Sequence, residues 1–352
     1  MKKVIKLVCF LYLFVLSIEL IKNVSLLIAP DIKGFLLQNL TPIKAVCVGW
    51  FTTSVVQSSG AVSSVVATFV GSNLININLA VYILMGALFG TSITALIISL
   101  VISSKQSKDF RHGFEIGLCL SIYSALLVLI IFSLEYLFGI YSKTAIFLSS
   151  LIYKKAFLLA FPDIIKFITS PIINLVLEKN NKYLVLLVGF IGLIIALRYI
   201  GKSVIDFFGG EHKAREFINK YFDSKYKAYF IGVGLTAILF SSSITIGLLV
   251  PLAVSRIINL RKAIPFILGA NLGTFTDLVL VSLIIGKASA FAVPILTVLF
   301  GITGGIIFLP NTKFLHDTTK FISKKLINIS REKAFYILIG FVLIPLIIIF
   351  VF

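Results

Sequence analysis

The stretch Gln57-Ser58-Ser59-Gly60, followed by Gly86-Ala87-Leu88-Phe89-Gly90-Thr91-Ser92, returns in altered form in the second half of the chain. There it reads Phe240-Ser241-Ser242-Ser243, followed by Gly269-Ala270-Asn271-Leu272-Gly273-Thr274-Phe275. Both elements move by one offset: 240 − 57 = 183 and 269 − 86 = 183. A serine cluster and a Gly-Ala-x-x-Gly-Thr element, spaced identically twice inside apolar sequence, imply an internally duplicated membrane protein. In such duplications the binding site falls at the repeat interface, on broken helices near the bilayer midplane.

The surrounding composition agrees. Of 352 residues, 59% are apolar and 13% are charged, whereas a soluble domain carries about 25% charged residues. From Ala45 to Ser104 there is no Asp, Glu, Lys or Arg. Apolar runs such as Leu79–Ser103, Gly113–Leu137, Tyr183–Leu197, Ile264–Ile285, Ser289–Leu309 and Ala334–Phe352 suit helices that need about 20 residues to cross a bilayer. They are continuous rather than alternating, so the expected fold class is an all-α polytopic membrane protein and not a barrel. The net charge of +18 sits in short clusters between these runs. That is the pattern of a positive-inside bias; no basic face with interleaved aromatics suits nucleic acid, which is excluded as a partner. Cys9, Cys47 and Cys119 lie in apolar stretches without metal-ligand spacing and read as buried small hydrophobes. Met1-Lys2-Lys3 and the apolar character running to Ala29 read as an uncleaved first transmembrane helix.

Loop charge orients the two halves. Gly71–Asn78 is uncharged, while its counterpart Pro251–Lys262 carries Arg256, Arg261 and Lys262. After the Gly-Thr element the first half has Lys105, Lys108 and Arg111, and the second only Lys287. Basic loops on the cytoplasmic side then give two inverted repeats, each with a re-entrant helical hairpin and a broken transmembrane helix. The expected layout is an N-terminal helix and connection over 1–42, repeat one over 43–142 and intervening helices over 143–200. A basic cytoplasmic linker follows over 201–228, then repeat two over 229–310, then an amphipathic segment and last transmembrane helix over 311–352. Lys154, Lys155, Pro162, Lys166 and Pro171 interrupt the segment Lys143–Lys182, which reads as two short or tilted helices. Gly201–Lys227 and Asn311–Lys333 read as interfacial helices resting on anionic membrane lipid.

Hydroxyls concentrate where the membrane is driest. Thr52, Thr53, Ser54, Ser58, Ser59, Ser63, Ser64 and Thr68 share one hairpin; Ser241, Ser242, Ser243 and Thr245 share the other. A serine-rich break between half-helices exposes backbone N–H groups and a helix N-terminus to an anion. Its hydroxyl and carbonyl oxygens suit a small hard cation such as Na⁺. Gln57 adds an amide that donates or accepts. The same residues also fit plain packing, with Ser and Thr bonding back to their own helix and Gly86-x-x-x-Gly90 and Gly269-x-x-x-Gly273 as helix-contact patterns. The shared offset with inverted loop charge favours a functional role. Asp277, whose counterpart is Thr94, is the one acid in Ala263–Ile285, and a carboxylate at that depth marks a coupling role for Na⁺ or H⁺. Asn271 is a neutral ligand candidate. Arg198 and Lys202 end an apolar run and read as snorkelling cations; Glu115 and Glu135 read as interfacial. No nucleophile–base pair and no metal constellation is present in the sequence, so neither an enzyme nor a cofactor or metal beyond Na⁺ is expected.

These elements resemble the type II sodium/phosphate cotransporter family, in its bacterial type without the appended regulator domain. That family carries a Gln-Ser-Ser-Ser element and a Gly-Ala-Asn-Ile-Gly-Thr-Thr element in each of two inverted repeats. The resemblance covers Thr52–Ser103 and Thr236–Leu283. It implies substrate binding by Gln57, Ser58, Ser59, Ser241, Ser242, Ser243 and Thr91, with Asn271 and Thr274 lining the same region; together with the intramembrane acid, the expected sodium or coupling set is Gln57, Asn271, Thr274 and Asp277. It also implies alternating access. The chain departs from the family at Gly60, which replaces a Ser, and at Phe240, which replaces the Gln. Leu88 and Phe89 replace Asn-Ile, and Asp277 stands where a small or hydroxyl residue is usual.

The expected function is sodium-coupled uptake of inorganic phosphate or a similar oxyanion across the cell membrane, with a homodimer among the admissible assemblies. The alternatives are proton-coupled transport or export of another anion on the same fold, and a non-transporting membrane scaffold subunit.

Overall fold

A computed structural model describes residues 2–102, 107–156, 161–179, 181–207, 210, 212, 213, 216, 222, 224–254, 256–327 and 331–351. Lipid offers no partner for backbone N–H and C=O groups, so sequence this apolar satisfies them internally, as helix. Among the described residues every regular element is helical. In chain order these are α1 (Lys2–Asn39), α2 (Pro42–Val56), α3 (Ser59–Gly71), α4 (Ile77–Gly90), α5 (Ser92–Ile102), α6 (Ser107–Phe138), α7 (Ile140–Ala156), α8 (Phe161–Lys179) and α9 (Lys182–Phe207). The second half has α10 (Lys225–Leu239), α11 (Ser242–Gly247), α12 (Leu249–Val254), α13 (Leu260–Leu272), α14 (Phe275–Ile285), α15 (Ala288–Phe308), α16 (Thr312–Ile327) and α17 (Arg331–Val351). Six segments of the described residues are long and apolar enough to cross a membrane: Lys6–Ile28, Ile77–Ser99, Arg111–Phe138, Lys182–Ile200, Leu260–Ile285 and Ala288–Phe308. The architecture is that of an all-helical, polytopic membrane protein.

The offset of 183 extends well beyond the two sequence motifs. α2 ends at Gln57 in the left-handed region (φ 58°) and α10 ends at Phe240 likewise (φ 53°). The next residue caps the next helix in both halves: Ser58 for α3 and Ser241 for α11. Asn73 and Arg256 (256 − 73 = 183) take positive φ of 58° and 59°. Asn76 and Asn259 (259 − 76 = 183) cap α4 and α13, accepting from the amides of Leu79 at 2.8 Å and Lys262 at 3.0 Å. Two segments with little sequence identity therefore make the same turns for the same local reasons.

The conserved spacing of the glycines has a packing cause. A β carbon at Gly86 would run into the Val46 carbonyl on α2, and one at Gly269 into the Tyr229 carbonyl on α10. Glycine here lets α4 press its backbone on α2, and α13 on α10, as small residues do between membrane helices. The Gly-x-x-x-Gly spacing is thus used for helix contact, and the Thr that follows is what reaches the site.

Three side chains differ from expectation. Glu115 is buried, not interfacial: it accepts from Lys320 Nζ at 2.6 Å, from Arg111 Nε at 3.2 Å and from Ser323 Oγ at 3.1 Å. This fastens amphipathic α16 onto α6, so α16 buries Leu315, Thr319 and Ser323 against protein. Glu135 is also buried, because its carboxylate accepts from the Tyr141 and Ser142 amides at 2.8 and 3.1 Å and caps α7. Cys9 is exposed on α1, whereas Cys47 and Cys119 are buried. The first helix continues past Ala29 to Asn39. Within the basic linker expected over 201–228, α9 runs on to Phe207 and α10 begins at Lys225, and residues 208, 209, 211, 214, 215, 217–221 and 223 lie outside the described residues.

Candidate functional site

The two left-handed turns meet at one cavity. It has a volume of about 320 Å³, and its wall includes Gln57, Ser58 and Thr94 from the first half and Phe240, Ser241 and Ser243 from the second. A non-glycine residue in the left-handed region costs about 1–2 kcal/mol. Gln57 and Phe240 both bear that cost where a helix stops, which frees the backbone groups on either side of the break. Ser58 Oγ accepts from the Ala61 amide at 3.2 Å, and Ser241 Oγ from the Ile244 amide at 3.2 Å. As caps, both serines use an acceptor lone pair and keep the O–H to donate. The cavity thus offers hydroxyl donors and helix N-termini, the chemistry that receives an anion.

A second, smaller cavity of about 40 Å³ lies among Ser59, Gly60, Ser63, Thr91, Ser242, Asn271, Thr274 and Thr297, with Leu84, Leu88, Leu120, Ile246, Leu278 and Phe300 as apolar wall. Thr91 donates its hydroxyl to the Ala87 carbonyl at 2.9 Å, and Thr274 to the Asn271 carbonyl at 2.7 Å. With the hydrogens so committed, the oxygens left facing inward are acceptors, as a hard cation requires. The residues singled out in the sequence therefore separate into two groups. Gln57, Ser58, Ser241 and Ser243 line the large cavity, while Ser59, Thr91, Ser242, Asn271 and Thr274 line the small one.

Asp277 lines neither cavity, yet it reaches the small one through Gly60. A β carbon at Gly60 would fall on the Asp277 Oδ2 atom, and the Phe240 carbonyl oxygen is 3.7 Å from the same point. Asp277 is 1% exposed. Its Oδ1 accepts from the Leu278 amide at 2.9 Å, while Oδ2 is buried without a hydrogen-bond partner among the described residues. Its counterpart Thr94 (277 − 94 = 183) also has a buried hydroxyl without a partner among the described residues, on the wall of the large cavity. A buried oxygen left unpaired costs about 1–3 kcal/mol, more for a charged group. Both halves bear this at equivalent positions beside the breaks.

One lining residue is unforeseen by motif reading. Arg198 of α9, read from sequence as a snorkelling cation, stands on the wall of the large cavity. The sequence shows an arginine at the end of an apolar run; it does not show which face of that helix meets the serine turns.

The family model described as Na⁺/Pi-cotransporter matches residues 13–153 and 192–330. Among curated proteins, the chain is similar to sodium-dependent phosphate transport protein 2A of Ovis aries, 24% identical over 428 residues that cover 97% of this chain and 66% of that protein. It is similar to the 2A protein of Rattus norvegicus at 24% over 419 residues, 96% of this chain and 65% of that one. It is similar to sodium-dependent phosphate transport protein 2B of Homo sapiens at 26% over 451 residues, 98% of this chain and 64% of that one. The chain thus spans just under two thirds of the length of these relatives. No solved structure matches it.

Proposed function

The chain belongs to the Na⁺/Pi-cotransporter family, and from that premise we propose that it carries inorganic phosphate, or an oxyanion like it, across the cell membrane with Na⁺ as the coupling ion. The observation that carries this reading is the meeting of the two broken turns, Gln57-Ser58 and Phe240-Ser241, on one cavity of about 320 Å³. The anion binds there, on the O–H groups of Ser58, Ser241 and Ser243 and the amide of Gln57. Na⁺ binds beside it, among the oxygens of Thr91, Asn271 and Thr274, with the Asp277 carboxylate as the nearby negative charge; Ser59 and Ser242 share the small cavity with these oxygens. The co-bound cation offsets part of the charge that a divalent anion brings into a low-dielectric site.

The two halves act as inverted repeats, each with a re-entrant hairpin, α2–α3 and α10–α12, and access alternates as one rocks against the other. Matching local geometry at an offset of 183 residues supports the repeats, and the opposite loop charges support the inversion.

Uptake of radiolabelled phosphate into proteoliposomes under an imposed Na⁺ gradient tests this, with a K⁺ control and a Ser242→Ala variant. Uptake that requires Na⁺ and falls in the variant is expected. Uptake of equal size in K⁺ removes Na⁺ as the obligatory partner.

A second reading keeps the fold and gives Asp277 a proton in place of a share in Na⁺. The partnerless Oδ2 favours it, since a protonated carboxyl is less costly to bury than a carboxylate. The pH profile of uptake in Asp277→Asn separates the two: it flattens if the proton is the coupling ion and is unchanged otherwise.

A further inference from the structure

The serine turns explain how an anion is oriented but leave its charge without a fixed positive partner in either motif. The large cavity contains one. Of its described lining residues, Arg198 alone is ionisable. Its direction follows from helix period. Leu193, Ala196 and Ile200 form a buried face of α9, and Tyr199 stacks on Phe10 of α1 at 4.7 Å. Ile194, Leu197 and Arg198 sit at i, i+3 and i+4 and so share the face turned to the cavity, where all three are found. Arg198 lies two residues before the end of the apolar segment Lys182–Ile200. Its side chain is exposed and makes no ion pair with a described residue. An exposed guanidinium that shares a cavity wall with Ser58, Ser241 and Ser243 and has no ion pair with a described residue is available to an oxyanion from outside the protein.

We infer that Arg198 is the cationic ligand of the transported anion, closing over an oxyanion seated on Ser58, Ser241 and Ser243. This rests on the large cavity being the substrate site. The guanidinium fork offers two parallel N–H donors to two oxygens of a tetrahedral anion, which a lysine does not. Being exposed, it also draws the anion in from solution before the serines engage.

The test is equilibrium binding of radiolabelled phosphate to the purified full-length chain in Na⁺ buffer. It compares the wild type with Arg198→Gln, Arg198→Lys and Lys202→Gln. Lys202 is an exposed cation one turn further on that does not line the cavity, so it separates a local ligand from a general positive field. Arg198→Gln is expected to weaken binding about tenfold or more. Arg198→Lys should recover part of the loss by restoring charge without the fork, and Lys202→Gln should change binding less than about twofold. Melting temperatures of all variants should match the wild type, because Arg198 has no ion pair with a described residue to lose. Wild-type binding with Arg198→Gln within about twofold of it overturns this inference alone. Equal losses in Arg198→Gln and Lys202→Gln do the same. A wild type that binds no phosphate overturns it together with the proposed substrate.

Discussion

The carboxylate of Asp277 on α14 occupies the space that a β carbon on residue 60 of α3 would fill. The two positions are 277 − 60 = 217 residues apart, and each departs from the motif pattern of the family: a serine is missing at one and an acid added at the other. The contact makes them one change. Glycine at 60 leaves room for the acid, and a side chain at 60 would force the Asp277 carboxylate to move. Gly60→Ser should therefore lower the melting temperature, and adding Asp277→Thr should restore most of the loss. A double-mutant cycle on thermal unfolding is expected to give a coupling of about 1–3 kcal/mol; additive effects would contradict the contact.

The caps at Ser58 and Ser241 are equivalent, each accepting one amide at 3.2 Å. Ser58→Ala and Ser241→Ala should each cost about 1 kcal/mol of stability. Under the proposed function both also weaken phosphate binding, since the same O–H donates to the anion. Thermal melts with and without phosphate separate the two effects: the ligand-induced shift should shrink in both variants, beyond the loss seen without ligand.

Gly86→Ala and Gly269→Ala should each force two helix backbones apart and cost about 1–3 kcal/mol or more. Gly234 is the control, because a β carbon there meets nothing within 4 Å. Gly234→Ala should be neutral or stabilise by about 0.5–1 kcal/mol. Melting temperatures of the three variants check this.

Glu115 joins α6 to α16 through Lys320 and Ser323. Glu115→Ala should cost about 2 kcal/mol, less than a fully buried pair because the Lys320 side chain retains 31% exposure. Amide exchange over Thr312–Ile327 should rise selectively. Unchanged exchange there would show that apolar packing alone holds α16.

Helix content and the duplicated serine-rich breaks were legible in the sequence, because continuous apolar runs and a fixed offset are one-dimensional signals; that Ser58 and Ser241 cap the helices that follow was not. The division into two cavities was not. Ser58 and Ser59 are neighbours in sequence but, lying at the cap and first position of α3, line different cavities, and only the helix start decides which goes where. The matching turns at Asn73 and Arg256 were hidden because unlike side chains share one backbone geometry. Glu115 and Glu135 read as interfacial because their partners, Lys320 and the Tyr141 and Ser142 amides, belong to other helices. Arg198 was missed for the same reason: a helix face acquires its meaning from what packs on it.

The central claim is that the anion on the large cavity and the cation on the small one are bound together. It is tested most directly by the affinity of the purified chain for radiolabelled phosphate across a series of Na⁺ concentrations at constant ionic strength, with K⁺ as the replacement ion, in the wild type and in Asp277→Asn. Linkage predicts that phosphate binds more tightly as Na⁺ rises, and that Asp277→Asn flattens this dependence. Equal phosphate affinity in Na⁺ and K⁺ would contradict the account.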